Sequence, residues 1–240
     1  MNEVIWNDVE CGGYEADLPI WERLASEHEG PIMELGCGTG RVVRHLAKAT
    51  ERLVVGLDSN PELVATVWER SHGHAGDAEI GDVRGFEMYF EFQLVLAPMQ
   101  LIQLLEGRTD RVCCLSCVAD HLLPGGLAAF ALVEELPPVP LGGAAPQLPD
   151  VGQVDGWVYS SLPLEPEVGS DSIVLRRLRQ IVTPEGDLSE ELNEVELQMV
   201  SAETLEEEGL EMGLRPAGRR QIPSTDAHVG STVVLLEKEA

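Results

Sequence analysis

Apolar residues between Leu18 and His28 fall at Leu18, Trp21, Leu24 and Ala25, a spacing that lays them on one face of a helix, and Gly30-Pro31 stops the run. Pro31 to Leu35 follows as a short apolar strand. After a glycine-rich turn, Arg41 to Ala49 reads as a helix with Val42, His45, Leu46 and Ala49 along one side. Leu53 to Asp58 is a second strand, and Pro61 to Arg70 a second helix with proline in its first turn. The alternation continues through Ala78 to Gly81, the least clear strand, then Phe92 to Ala97 and a helical stretch ending near Leu123. A strand over Leu127 to Val133 comes after Pro124-Gly125-Gly126. Strands separated by helices predict a parallel, doubly wound sheet.

The pattern changes after residue 136. Residues 137–149 are rich in proline and glycine, which break both helix and sheet. Gly156 to Leu162, Ser172 to Val182 and Leu192 to Val200 are then strand-like. In the last, Val195, Leu197 and Met199 alternate with Glu194, Glu196 and Gln198, and Thr183 to Asp187 has the residues of a hairpin turn. This predicts a three- or four-stranded antiparallel sheet over about residues 154–200, with one wet face. Ser201 caps a helix running to Met212, and strands near Arg215 to Ile222 and Ser231 to Glu237 close the chain as an antiparallel hairpin. The fold class is α/β: a Rossmann-like core over 1–136 and 201–240, with a linker and an inserted antiparallel lid over 137–200.

Composition narrows the partners. The chain of 240 residues is 44% hydrophobic, enough for one core and an appendage. Its 42 acidic against 16 basic residues give a formal charge of -26, which repels a phosphate backbone and disfavours nucleic acid. No stretch reaches the roughly 18 apolar residues of a membrane helix, and Met1 to Trp6 lacks the basic flank and apolar run of a signal peptide, so a cytoplasmic protein is expected. Five cysteines without regular spacing make no disulfide framework. Cys114 and Cys117 form a lone CxxC, readable as a redox pair or half a metal site, or as small residues packed on a helix. No second pair or histidine cluster completes it, and no metal is expected.

The segment Glu34-Leu35-Gly36-Cys37-Gly38-Thr39-Gly40-Arg41 carries the chemistry. Glycines between a strand and a helix let the backbone approach a nucleotide-like ligand and adopt conformations that a Cβ forbids. The dinucleotide fingerprint would place its third glycine where Arg41 stands, so NAD is the weaker reading. Glu34-x-Gly36-x-Gly38-x-Gly40 resembles the first motif of the class I S-adenosylmethionine-dependent methyltransferases of small-molecule type. The resemblance covers about residues 14–133 and the terminal hairpin, and leaves the inserted sheet outside.

Several roles follow from that resemblance. Asp58, 20 residues after Gly38 and followed by Ser59, would accept the ribose hydroxyls, although the same carboxylate also suits a helix cap. Gly81-Asp82-Val83 is similar to the adenine motif, in which a carboxylate takes the exocyclic amine and the next backbone N–H meets a ring nitrogen. Glu34, with Cys37 and Tyr14, would stand at the methionine end, and Ala97, Pro98 and Met99 match the edge of the fourth strand. Tyr14 equally suits an aromatic anchor for the first helix. The reaction implied is in-line transfer of a methyl group to a nitrogen or oxygen of a small acceptor, with S-adenosylhomocysteine as product. A catalytically silent binder of the same cofactor and an NAD-dependent dehydrogenase are the alternatives.

Ligands of open α/β sheets sit beyond the C-terminal ends of the parallel strands. With the terminal hairpin arranged as the resemblance implies, this rule singles out His228, in the turn between the last two strands, as a candidate general base, although a lone loop histidine equally suits a solvated position. Ala97-Pro98-Met99-Gln100 departs from the Asn/Asp-Pro-Pro-Tyr/Phe signature of nucleic-acid and protein-glutamine methylating enzymes, which favours a small metabolite. Gln100, Trp157 and Tyr159 are expected to meet the acceptor, the two aromatics through an inserted sheet that forms a lid or a dimer contact, although both equally suit core packing.

Overall fold

A computed structural model of the chain describes residues 3–71, 76–134, 148–225 and 228–239. In chain order its helices are α1 (Glu3–Cys11), α2 (Leu18–Glu27), α3 (Arg41–Thr50), α4 (Pro61–Arg70), α5 (Gly107–His121) and α6 (Ala202–Glu211). The strands are β1 (Ile32–Leu35), β2 (Val54–Asp58), β3 (Gly76–Ile80), β4 (Phe92–Ala97), β5 (Leu122–Leu132), β6 (Asp150–Val154), β7 (Trp157–Pro163), β8 (Glu167–Val168), β9 (Ser172–Val182), β10 (Leu188–Gln198), β11 (Leu214–Ile222) and β12 (Ser231–Lys238). A short 3-10 helix spans Leu101–Leu104.

The first sheet has the order β11-β12-β5-β4-β1-β2-β3, with β1 to β5 parallel and β12 antiparallel to β5. Alternate residues serve its two faces. Met33, Leu35, Val95, Phe130 and Val234 pack in one layer with Leu115, Val118 and Leu205. Ile32, Leu94, Leu96, Ala129 and Val233 pack in the other with Trp21, Leu24, Leu46 and Val64. Both faces are therefore covered, as a parallel sheet requires. The C-terminal ends of β1, β2, β3 and β4 come to one edge, where Gly36, Asp58, Asp82 and Pro98 follow or end their strands.

Alternation identified this sheet, and Ser201 caps α6 as expected, its Oγ accepting from the Thr204 N–H. The inserted sheet differs from its expectation. It has five strands rather than three or four, in the order β10-β9-β7-β6 with β8 beside β9, and it starts at Asp150. The missed strand, β6, pairs with β7 through Asp155 and Gly156, whose φ of 48° and 83° belong to the mirror-image turn that Asp-Gly favours in two-residue hairpins. Helix α1 was also unforeseen. It carries Trp6, fully buried, and packs against β6 and β7.

The insert leaves and rejoins the core past one residue. The Gln103 amide, fully buried, donates 3.0 Å bonds to the carbonyls of Val133 and Gln198 and accepts from the Val133 N–H at 2.7 Å. Among the described residues, no helix is long and apolar enough to cross a membrane. No group of histidine, cysteine and acidic residues among them could hold a metal, and Cys114 is simply buried in α5.

Candidate functional site

Beyond β1 the chain turns through Gly36, Gly38 and Gly40, with φ of 64°, 55° and 82°. Side chains rarely adopt such values. A Cβ at Gly36 would come within 2.7 Å of Leu101, and one at Gly38 within 2.8 Å of Asn7. The Gly38 N–H donates to Asp58 Oδ2 at 2.9 Å, and Asp58 Oδ1 accepts from the Asn60 N–H at 2.9 Å. The cap of α4 is Asn60, whose side chain accepts from Glu62 N. Asp58 is thereby left to brace the glycine turn.

A cleft of about 480 Å³ opens over this turn, with Asp58, Ser59, Asp82 and Val83 in its wall beside Gly36 and Gly38. Hydrogen bonds from the Arg84 guanidinium press the Asp82 carboxyl down to about 2. A second cavity, of about 200 Å³, shares Gly36, Gly38 and Asn7 with the first and reaches Glu34, Cys37, Pro98 and Met99. Glu34 is fully buried, and its Oε2 accepts from the Val43 N–H, at the N-terminus of α3, at 2.8 Å. Burial, opposed by Arg41 and by that bond, pushes its carboxyl up to about 8. Burial also raises the Cys37 thiol. Gly40 and Ala97 line neither cavity: Gly40 packs on Val67 at the start of α3, and Ala97 lies buried in the sheet.

Met99 also lines a third cavity, of about 250 Å³, between the sheet edge and the inserted sheet. Here Tyr14, Gln100, His228 and Ser231 face Leu175, Arg176 and Arg177 of β9. The Tyr14 and His228 rings lie 4.6 Å apart, and the Arg41 guanidinium sits 5.3 Å over Tyr14 on its other contact. Arg41 is fixed by two bonds of 2.6 and 2.7 Å to the buried Asp17 carboxylate and by one to the Tyr14 carbonyl. Met99 and Gln100 have positive φ, 50° and 61°, and the Gln100 amide donates to Ser231 Oγ at 3.0 Å. Trp157 and Tyr159 stand apart from this cavity. Tyr159 packs edge-on against Trp6 at 5.4 Å, and Trp157 is part-exposed in the β6–β7 hairpin. The insert meets the cavity instead through β9 and the segment after β7.

Two contributors escaped the sequence. Asn7 accepts from the Thr39 N–H at 3.1 Å, and Asp8 accepts from the Thr39 hydroxyl at 2.7 Å, so α1 roofs the turn. The signal available was the apolar pair Ile5 and Trp6 with Val9, among polar neighbours at helical spacing. Arg41 had been noticed only as a missing glycine.

Residues 32–126 match the family described as methyltransferase domain. The structure superposes on the sugar N-methyltransferase KedS8 from Streptoalloteichus sp ATCC 53650 with a TM-score of 0.75 and 15% identity, covering 98% of this chain and 91% of that one. It superposes on the S-adenosylmethionine-bound amino pentose methyltransferase CalS10 from Micromonospora echinaspora with a TM-score of 0.72 and 17% identity, covering 98% and 96%. Residues 32–126 are thus similar to a methyltransferase domain, and the superpositions show that the chain shares the fold of these enzymes. In sequence, the chain is 31% identical over 114 residues to the dTDP-3-amino-3,6-dideoxy-alpha-D-glucopyranose N,N-dimethyltransferase of Streptomyces fradiae. That match covers 47% of this chain and 43% of the relative. A trans-aconitate 2-methyltransferase of Mycobacterium tuberculosis is 37% identical over 73 residues, 29% of this chain and 26% of that one. The chain thus matches less than half the length of these curated relatives.

The chain keeps Glu34 where its charge is costly, and this has a consequence for stability. Between the ordinary carboxyl value of 4.5 and about 8, the unfolded chain has lost the Glu34 proton and the folded chain retains it. The contribution is therefore fully present below pH 4.5 and is lost as pH rises toward 8. Urea unfolding of the ligand-free protein across this window should show Glu34→Gln with a flatter pH profile than wild type. Parallel profiles would show that Glu34 ionises normally.

Proposed function

We propose that this chain transfers a methyl group from S-adenosylmethionine to the nitrogen of a small, amine-bearing acceptor. The observation carrying this reading is that three cavities follow one another along a single sheet edge, joined by Gly36 and Gly38 and then by Met99. The residues suit the cofactor. Asp58 retains acceptor positions for ribose hydroxyls, Asp82 and the Val83 N–H suit adenine, and the space left by two absent Cβ atoms suits a ligand pressed against the backbone. Glu34 is the partner for an ammonium at the methionine end.

When bound, S-adenosylmethionine supplies an electrophilic methyl group on a sulfonium. The chain then has to hold the acceptor nitrogen in line with the methyl group and keep water out. Tyr14, in contact with both Arg41 and His228, and Gln100, tied to Ser231, are placed to do so. His228 takes the proton released as the new C–N bond forms. The cavity's arginines support an acceptor without a large negative charge. Arg176 is already paired with Glu167 and Glu194, and Arg177 with Asp150 and, at 3.6 Å, Glu10. This disfavours a multiply charged carboxylate of the trans-aconitate type in this cavity, and suits the sugar, not the diphosphate, of the amino-sugar type. A second copy would meet this one through the β6–β7 hairpin, where Val151, Val154 and Trp157 are exposed. Sedimentation velocity tests this: a monomer at every concentration removes the contact.

S-adenosylhomocysteine should raise the melting temperature in a concentration-dependent way, and NADH should leave it in place. The opposite result removes the cofactor reading. Asp58→Ala should weaken that binding by about 1.5–3 kcal/mol, because ribose hydroxyls lose a charged acceptor. A calorimetric titration with unchanged affinity would take Asp58 out of the site. With an amino-sugar acceptor, His228→Ala should slow turnover by about 100-fold or more while cofactor affinity holds, as expected for loss of a general base. Near-normal turnover would leave His228 without that role.

A further inference from the structure

The turn after β3 contains a clamp that the methyl transfer itself does not call for. Arg84 Nε lies 2.9 and 3.1 Å from the two Asp82 oxygens, Nη2 lies 2.6 Å from Oδ2, and the Arg84 backbone N–H donates to Oδ1 at 2.9 Å. Its remaining nitrogen, Nη1, reaches across to Asp110 of α5 at 2.7 Å. The turn is closed further by Gly85 N–H to Asp82 O and joined to β2 by Gly81 N–H to Asp58 O, both 3.0 Å. Asp82, Arg84 and Asp110 all line the 480 Å³ cleft.

Resting on the cofactor reading above, we propose that Arg84 is a positioning residue for the adenine end. It holds the Asp82 carboxylate in one orientation as an acceptor for an exocyclic amine, and so makes the cleft prefer a 6-aminopurine to a 6-oxopurine. A carboxylate offers about four acceptor positions. The backbone N–H and Nε take both positions on Oδ1, and Nη2 takes one on Oδ2; the second position on Oδ2 meets only the longer, shared Nε contact of 3.1 Å and is the one a ligand can use. A half-exposed aspartate without the clamp would turn among its rotamers and share its lone pairs with water. A 6-oxo group presents an oxygen to that carboxylate and an N–H to the Val83 N–H, so both contacts become repulsive. The Asp82 carboxyl, depressed by the same bonds, stays charged throughout the working pH range.

The test is calorimetric titration of wild type, Arg84→Ala and Arg84→Lys with S-adenosylhomocysteine and with its 6-oxo analogue, S-inosylhomocysteine. Wild type should prefer the adenine ligand. Arg84→Ala should bind that ligand about three- to tenfold more weakly, the loss of one oriented hydrogen bond. The 6-oxo ligand should bind as before, so the preference narrows, and Arg84→Lys should recover part of it. The ligand-free melting temperature should barely move, because the pair is solvent-exposed. An unchanged preference in Arg84→Ala overturns the proposal, whether both ligands bind as before or both weaken equally. Wild type failing to bind S-adenosylhomocysteine is a separate outcome: it overturns the cofactor reading and this proposal with it.

Discussion

The bond from the Gly38 N–H to the Asp58 carboxylate is the constraint on which the site is built. It ties the turn after β1 to the end of β2, so a left-handed backbone excursion of three glycines is held in one conformation. Such an excursion is open to glycine and costs other residues about a kilocalorie or more. The neighbours have closed in on the space where a Cβ would be: Leu101 over Gly36, and Asn7 over Gly38. The cleft wall, the start of α3 and the roof provided by α1 are all referred to this one turn.

Charge is distributed around the turn by burial. Glu34 lies under it without a cationic side chain hydrogen-bonded to its carboxyl, and so its proton is retained well above the ordinary range. Asp17, equally inaccessible, accepts from Arg41 twice and from the Trp21 indole at 2.9 Å. The two carboxylates answer different needs. Asp17, at the wall of the third cavity, is satisfied by protein donors and fixes Tyr14 through Arg41, whereas Glu34 lines the second cavity with no cationic side chain bonded to it among the described residues. A buried acid with an open neighbour is the arrangement expected where a ligand completes the electrostatics.

The parallel sheet was legible because its strands are apolar on both faces and its helices carry a one-sided stripe, so two periodicities alternate along residues 18–133. The glycine turn and the carboxylates that wall the first cleft were legible for a local reason. Backbone geometry at Gly36 and Gly38 and the carboxylates ending strands are set within a few residues of sequence. Long-range pairing was not legible. Nothing near Glu10 announces that it meets Arg179 of β9 at 2.7 and 2.8 Å, and nothing near Trp157 announces that β9 and the end of β7, not the aromatics of β7, line the third cavity. Strand β6 was different, since its Asp155-Gly156 turn was a local signal.

Helix α1 joins these parts. At nine residues it is shorter than the roughly 12–15 at which an isolated helix becomes even marginal in water, so docking must supply its order. One side docks on the turn: Asn7 and Asp8 hold Thr39, and Asp8 is bonded twice by Arg70 of α4. The other side docks on the insert. Glu10 accepts from Arg179 and from the Ser161 hydroxyl, Tyr159 abuts Trp6, and the Arg179 guanidinium lies 5.0 Å over the Trp6 ring. Burial works against the Glu10 charge, and the hydrogen bonds from Arg179 and Ser161 outweigh it, so the carboxyl sits below its ordinary range. Those bonds attach α1 on the insert's side. Asn7, part of the walls of both the first and second cavities, is therefore carried by a helix that also docks on the inserted sheet, and that sheet also walls the third cavity. The inserted sheet and the glycine turn consequently share one helix, and the walls of all three cavities are tied together through it.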